Sequence, residues 1–438
     1  MQLTKKKIAG LLSAASCTLL ATTGQADTSE WDVDSAILFY SEIDRVSAVE
    51  PVISATRDLG DDETVSMKIV VDVLTGASAN GAVPSTQVQT FTTPSGGGGH
   101  GDDDDGDDDD DDDDDDDGGG GSSYTVAPNE TPLDDTFEDE RVSFSMNWEK
   151  PVDRNNRRNL GFNVSTENDF FSLSGNARWQ HDMNQKNTTL TYGINLEHNE
   201  IDPIGGTPFP LSSMVDQRTM GGTESRDVVD LIFGVTQVID RSSLFQINLS
   251  LSDSDGYMTD PYKFVSVVDD TGEPINQLFE SRPGNRYRQS IFGKYKKALA
   301  NDDIFTASYR YMTDDWEIDS HTFDFTYRYK IDNGYFIEPH LRFYEQTAAD
   351  FYRYFLLDSE TVPEFVSADY RLGELETTTV GIKLGRDIDD NHAWSARLEY
   401  YLQTGESSPS EAIGQLTQQD LFPDVEAWIL QFNYSLKW

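Results

Sequence analysis

The chain of 438 residues holds one cysteine, Cys17, inside a segment that reads as an export signal. The rest of the chain therefore excludes disulfides, thiol nucleophiles and thiolate metal centres. Long apolar runs are missing too. Mean hydropathy is −0.55, and past residue 26 nothing approaches the ~20 apolar residues of a membrane helix. Basic residues are scarce, 33 against 79 acidic ones, for a net charge of −46. That balance argues against nucleic acid or anionic polymers as partners. His-x-x-x-His spacings, paired-cysteine motifs, phosphate loops and dinucleotide fingerprints are absent as well.

What is present begins with the ends. Lys5, Lys6 and Lys7 precede an apolar stretch, 8–21, and then Gly24-Gln25-Ala26. This is the order of a cleavable signal peptide, here 1–26, and its apolar part is too short to span a bilayer. At the other end, "WILQFNYSLKW" alternates Trp428, Leu430, Phe432, Tyr434, Leu436 and Trp438 with Ile429, Gln431, Asn433, Ser435 and Lys437. Period two is the mark of an amphipathic strand. A terminal strand closing on aromatics resembles the signal that barrel assembly machinery reads, with Phe432, Tyr434 and Trp438 as its residues.

The same alternation recurs upstream. "RVSFSMNW" places Val142, Phe144, Met146 and Trp148 on one face, and "LFQINLSLS" does so with Phe245, Ile247, Leu249 and Leu251. "HTFDFTYRYK" gives Phe323, Phe325, Tyr327 and Tyr329, while the opposite faces carry polar and charged residues. Short connections such as "DNG", "DRS" and "MNQK" alternate with long ones near 76–138, 202–225, 257–285, 350–373 and 406–425, except at two alternate positions where "TDDWEID" and "END" are tight turns. The rhythm matches a barrel with short periplasmic turns and long outer loops. Counting segments 34–42, 45–59 and 63–75 gives 16 strands and returns both ends to the periplasm; 14 and 18 are the neighbouring counts. The expectation is an all-β, transmembrane antiparallel β-barrel over 27–438, in the outer membrane of a Gram-negative bacterium, touching lipid and lipopolysaccharide.

Residues 96–121, Gly/Asp-rich, fall in the first long outer connection (76–138). Fifteen aspartates lie between Asp102 and Asp117. Their mutual repulsion and the flanking glycines make a solvated, expandable insertion the expected state. Cation capture is the alternative reading, but a calcium site needs 6–8 oxygens held by turns, and a monotonous run supplies charge without geometry. The "SDSDG" core (Asp253, Asp255) is a second weak calcium candidate. No cofactor is expected beyond loosely held Ca²⁺.

Facing the aromatics outward turns a polar row inward. Adjacent strands would present Arg288, Lys294 and Lys296; Arg310 and Asp314; Asp324, Arg328 and Lys330; then Glu338, His340 and Arg342, with Tyr344 and Gln346 above. Such a ladder either selects an anionic solute, as charged rings do in pores, or balances itself by cross-strand ion pairs. For catalysis, Ser320, His321 and the nearby aspartates could make a hydrolase triad, but strand neighbours point to opposite faces. A non-enzymatic barrel is expected, with a barrel hydrolase and a cation-binding surface protein as alternatives.

Several stretches resemble one family of bacterial outer-membrane barrels catalogued as a domain of unknown function. They are "YSEIDRVSAVEP", "VVDVLTGASANGA", "TFTTPSG", "SDGYMTDPYK", "RYMTDDWEIDSHT" and "EPHLRFYEQTAADFY", and the resemblance extends over nearly all of the chain after the signal. In the family a short linker stands where the Gly/Asp tract lies here. The resemblance implies a barrel without established enzymatic activity. It also implies genes often placed beside a flavin transferase, a small lipoprotein and a thioredoxin-like protein. Those neighbours point to a pore or scaffold in an envelope redox or export system, with periplasmic lipoprotein or flavinylated redox partners.

Overall fold

A computed structural model describes residues 31–94 and 122–437. Sixteen strands close into one barrel. In chain order they begin with β1 (Trp31–Glu42), β2 (Ser47–Gly60) and β3 (Glu63–Ala79). Two short strands, β4 (Gln89–Thr93) and β5 (Ser122–Val126), stand outside the wall. The wall resumes with β6 (Leu133–Pro151), β7 (Asn156–Thr166), β8 (Phe170–Met183) and β9 (Thr188–Ile201). Next come β10 (Glu224–Asp240) and β11 (Ser243–Gly256), then β12 (Phe264–Val268) and β13 (Pro274–Phe279), again outside it. β14 (Asn285–Ala298), β15 (Ile304–Asp314), β16 (Asp319–Lys330) and β17 (Tyr335–Gln346) continue the wall. After the short β18 (Leu356–Leu357) follow β19 (Leu375–Asp387), β20 (His392–Gly405) and β21 (Val425–Lys437).

Every neighbouring pair in the wall is antiparallel, and β1 closes the ring by pairing with β21, Ile37 opposite Phe432. Closure removes the free edges that an open sheet would expose. At one end the turns are tight. Asp61 and Asp62 both take left-handed φ, 54° and 60°, and so do Asn333 and Gly334, 63° and 78°. Paired left-handed residues suit the twist of a hairpin, and Asp, Asn and Gly tolerate them best.

The alternation sorts the two faces as expected. Leu196, Phe233, Phe245, Ile247, Leu249, Phe323, Phe325 and Phe432 stay exposed on the outside. A belt of bare aliphatic and aromatic side chains is unfavourable in water and favourable in hydrocarbon. Phe144 and Phe162 meet across β6 and β7, ring centroids 5.9 Å apart, one of the cross-strand pairs that fix register.

At the opposite end the long connections fold into a cap. β12 pairs antiparallel with β13 and parallel with β18. Phe91, Phe264, Val265, Val268, Val366, Leu416 and Phe422 are all fully buried there. The connection expected at 76–138 is shorter, 80–132, because β3 and β6 extend past their expected ends. The connections expected at 257–285 and 350–373 likewise carry strands of their own. The contiguous apolar run "FVSVV" is buried on both faces, which a period-two search for wall strands passes over. Gly81 shows how tightly the loops meet: its φ is 90°, and a Cβ there would lie 2.7 Å from the Phe264 carbonyl and 3.2 Å from that of Ala368. Glycine alone fits.

The insertion read at 96–121 and Asp102 and Asp117 lie outside the described residues, as do the segment read as signal peptide (1–26) and Trp438. The flanks of the insertion are defined: Thr93 and Ser122 face each other at the end of the β4–β5 pair. The pairing of β4 with β5 is thus in register up to both flanks.

Candidate functional site

Inside the wall is a cavity of about 960 Å³. It runs from Thr64 and Ser66, by the tight turns, to Ser320 and Tyr344, near the cap. Polar side chains dominate its walls. Of the ladder read from the sequence, Arg288, Arg310 and Arg342 line this cavity. Arg288 Nη2 donates to the Ser252 hydroxyl at 3.2 Å, and Arg310 lies 5.7 Å from the centre of the Phe292 ring.

The other ladder residues are tied up or apart. Arg328 Nε bonds Glu338 at 2.7 Å, its guanidinium 4.1 Å from the Phe336 ring centre. His340 bridges two carboxylates, Nε2 to Asp324 at 2.9 Å and Nδ1 to Glu399 at 2.7 Å. Asp314, buried, takes Arg286 at 2.5 Å and the backbone N–H groups of Trp316 and Ile318. Lys294, Lys296 and Lys330 lie exposed toward the tight-turn end. Tyr344 donates to Gln346 at 2.6 Å, and Gln346 in turn donates to the Gly373 carbonyl, tying the wall to the cap.

Part of the ladder is therefore cross-strand ion pairing: Arg328 with Glu338, and His340 with Asp324. Arg288, Arg310 and Arg342, toward the cap end, have no carboxylate within ion-pair distance among the described residues. Sequence reasoning missed Glu399 and Arg178, because alternation gives a face and not a partner strand.

The cap holds the second concentration of charge. Arg282 Nε lies 2.6 Å from Glu280, and its Nη2 lies 2.8 Å from Asp369. Arg371 reaches Asp260 and Asp369, both at 2.6 Å. Glu280, fully buried, also accepts from the Ser367 hydroxyl at 2.5 Å and the Asp260 N–H at 2.7 Å. Burial alone would raise the Asp369 carboxyl, but Arg371 and Arg282 overcome it and hold it well below the usual range. Burial pushes Glu280 up, against the pull of Arg282. This network fastens 257–284 to 347–374, and no sequence motif announces it.

The loops meet across the mouth. Gln415 donates to the Pro84 and Gly272 carbonyls at 3.0 and 2.7 Å, and Phe264 N–H to the Asn80 carbonyl at 2.8 Å. These loops leave the ring at well-separated points, so their contacts cross the lumen axis.

Asp253 and Asp255 lie exposed on the outer face of β11, opposite Val229 and Asp227. The carboxylates brought together are others: Asp139, Glu167 and Asp169 offer oxygens within 4.8 Å of one another. Tyr262 donates to Asp169. Burial, then repulsion from Asp139, pushes Glu167 up to about 7. Three carboxylates are part of a hard-cation shell and not a complete one. Ser320 points inward and is buried, while His321 stands outside with Nδ1 2.7 Å from the Tyr309 hydroxyl. The two do not form a nucleophile–base pair.

A closed antiparallel cylinder of 16 strands, apolar outside and charged within, is a β-barrel of the outer-membrane type. The chain belongs to the family described as protein of unknown function (DUF3570), whose model matches residues 9–436. No curated protein matches it. Among solved structures it is similar in fold to a bacterial polysaccharide outer membrane secretin. There the identity is 9% and the TM-score 0.41, over 95% of this chain and 100% of that one. The CymD monoaromatic hydrocarbon channel gives 7% and 0.40, over 94% and 89%. OccK3 (OpdO) of Pseudomonas aeruginosa gives 7% and 0.39, over 94% and 96%.

Proposed function

We propose that this chain is exported, loses residues 1–26 and inserts in the outer membrane as a non-enzymatic pore for small polar solutes, gated by its cap. One observation carries the reading: the outward face of the wall is apolar while the inward face encloses a polar cavity of about 960 Å³. Strands of 11–14 residues such as β7, β8 and β9 meet or exceed the ~9–11 that a tilted crossing requires. Lipid and lipopolysaccharide would then cover the belt, and Phe432 and Tyr434, both exposed, would serve the assembly machinery. The test is planar-bilayer recording of the purified protein with and without an intact cap network. Discrete conductance in the cap-loosened protein, above that of the wild type, supports a gated pore. Silence in both removes it.

A second reading is favoured by the cap itself, whose loops cross the mouth. The barrel would then be a scaffold for an envelope redox or export system, with lipoprotein or flavinylated partners on the periplasmic side. Crosslinking in intact cells from Asp62, at a tight turn, distinguishes it: a specific periplasmic adduct supports a scaffold.

A further inference from the structure

The cavity beneath the cap is a positive region in a strongly acidic protein. Arg178, Arg288, Arg310 and Arg342 line it against Glu149 and Asp230. Arg178 has a counter-charge, Glu149, at 3.8 Å, and Asp230 accepts from Asn195 at 3.2 Å. Arg288, Arg310 and Arg342 are left. They sit on β14, β15 and β17, each within about five residues of the cap end, and none has a carboxylate within ion-pair distance among the described residues. Nε of Arg288 is buried without a partner. Asp324, opposite Arg342 in register, is held instead by His340.

Shortage of carboxylates is no explanation, since the chain has 79. Arginines just outside the cavity find them readily: Arg282, Arg286 and Arg328 have one at 2.6, 2.5 and 2.7 Å. Guanidinium groups stay charged at any accessible pH, so these three outweigh the one carboxylate left over on the cavity wall, Asp230, and an added anion would relieve their repulsion. Their planar donor forks match carboxylate and phosphate oxygens, and Met312 and Tyr344 add less polar surface to the same wall. The volume lies within the range of small-molecule sites, roughly 300–1,000 Å³.

We infer that the cavity binds a small organic anion, carrying carboxylate or phosphate groups, on Arg288, Arg310 and Arg342. The inference deepens the pore reading by naming a solute class, and it needs from that reading only that the lumen be reachable. The test is titration calorimetry on the full chain folded in detergent, with succinate and inorganic phosphate as probes and glucose as the neutral control. At least one anion should bind, more weakly as salt rises, and glucose should not. The stronger probe identifies which oxyanion the site prefers. Arg310→Gln and Arg342→Gln should each weaken binding about tenfold or more, the loss of one charged contact. Arg178→Gln, whose partner is Glu149, should change it less than about threefold. Folding of each variant is checked by its heat-dependent electrophoretic mobility. The inference is overturned if neither anion binds the wild type, or if Arg310→Gln and Arg342→Gln bind as it does. Anion binding without conductance would remove the pore and keep this site; conductance without anion binding would do the reverse.

Discussion

Replacing Arg282 by methionine tests whether the cap is fastened electrostatically. The side chain is 11% exposed and touches Glu280, 0% exposed, and Asp369, 4% exposed, so water screens these contacts little. The two carboxylates do not suffer equally. Asp369 keeps Arg371 at 2.6 Å, whereas Glu280 loses the one cation that pairs with it among the described residues and retains the Ser367 hydroxyl and the Asp260 N–H. Removing one partner of a buried pair costs about 3–5 kcal/mol, here concentrated on Glu280. At 1.4 kcal/mol per decade, the cap's local opening should rise roughly 100- to 4,000-fold. Hydrogen exchange across 257–284 and 347–374 reads this directly, with the wall strands as internal reference.

Acid should reverse the effect. Burial already raises the Glu280 carboxyl, and losing Arg282 raises it further. A raised carboxyl carries its penalty only at a pH where it is forced to ionise, so the variant should regain protection as pH falls. Glu280→Gln in the Arg282→Met background should do the same at neutral pH. If Arg282→Met exchanges like wild type at pH 8, the latch argument is wrong.

Three further outcomes are expected. Gly81→Ala should destabilise the cap by ~2 kcal/mol or more, from left-handed strain plus the crowded Phe264 carbonyl; unchanged exchange at 80–94 would contradict it. Ile194→Arg, mid-strand on the outer face, should cost about 2–4 kcal/mol in lipid-reconstituted unfolding; Asn195→Arg, facing the cavity, should cost less. Glu167, pushed up to about 7, makes wild type lose stability as pH rises from its unfolded value of ~4.3. Glu167→Gln should therefore melt higher than wild type at pH 8 and no higher at pH 4, and an equal difference at both would refute the assignment.

How much of this was legible beforehand differs by element. Period-two alternation in "LFQINLSLS" or "WSARLEYYLQ" is a local property, because successive side chains on any strand point to opposite faces. The sequence by itself therefore determined the strands, the apolar outer face, the tight turns at "DNG" and "DRS", and the count of 16 by parity. It also put Arg288, Arg310 and Arg342 on the inner face. Which partners those residues have was not readable. His340 meets Glu399, 59 positions away, and Arg282 meets Asp369, 87 positions away. Such pairs exist only once the wall closes and the loops fold back over it. The cap was decided wholly at that level: its apolar segments have no period to betray them, and their burial depends on five loops arriving together. The free arginines follow from the same cause, since a charge is unpaired only relative to neighbours that the closed barrel supplies.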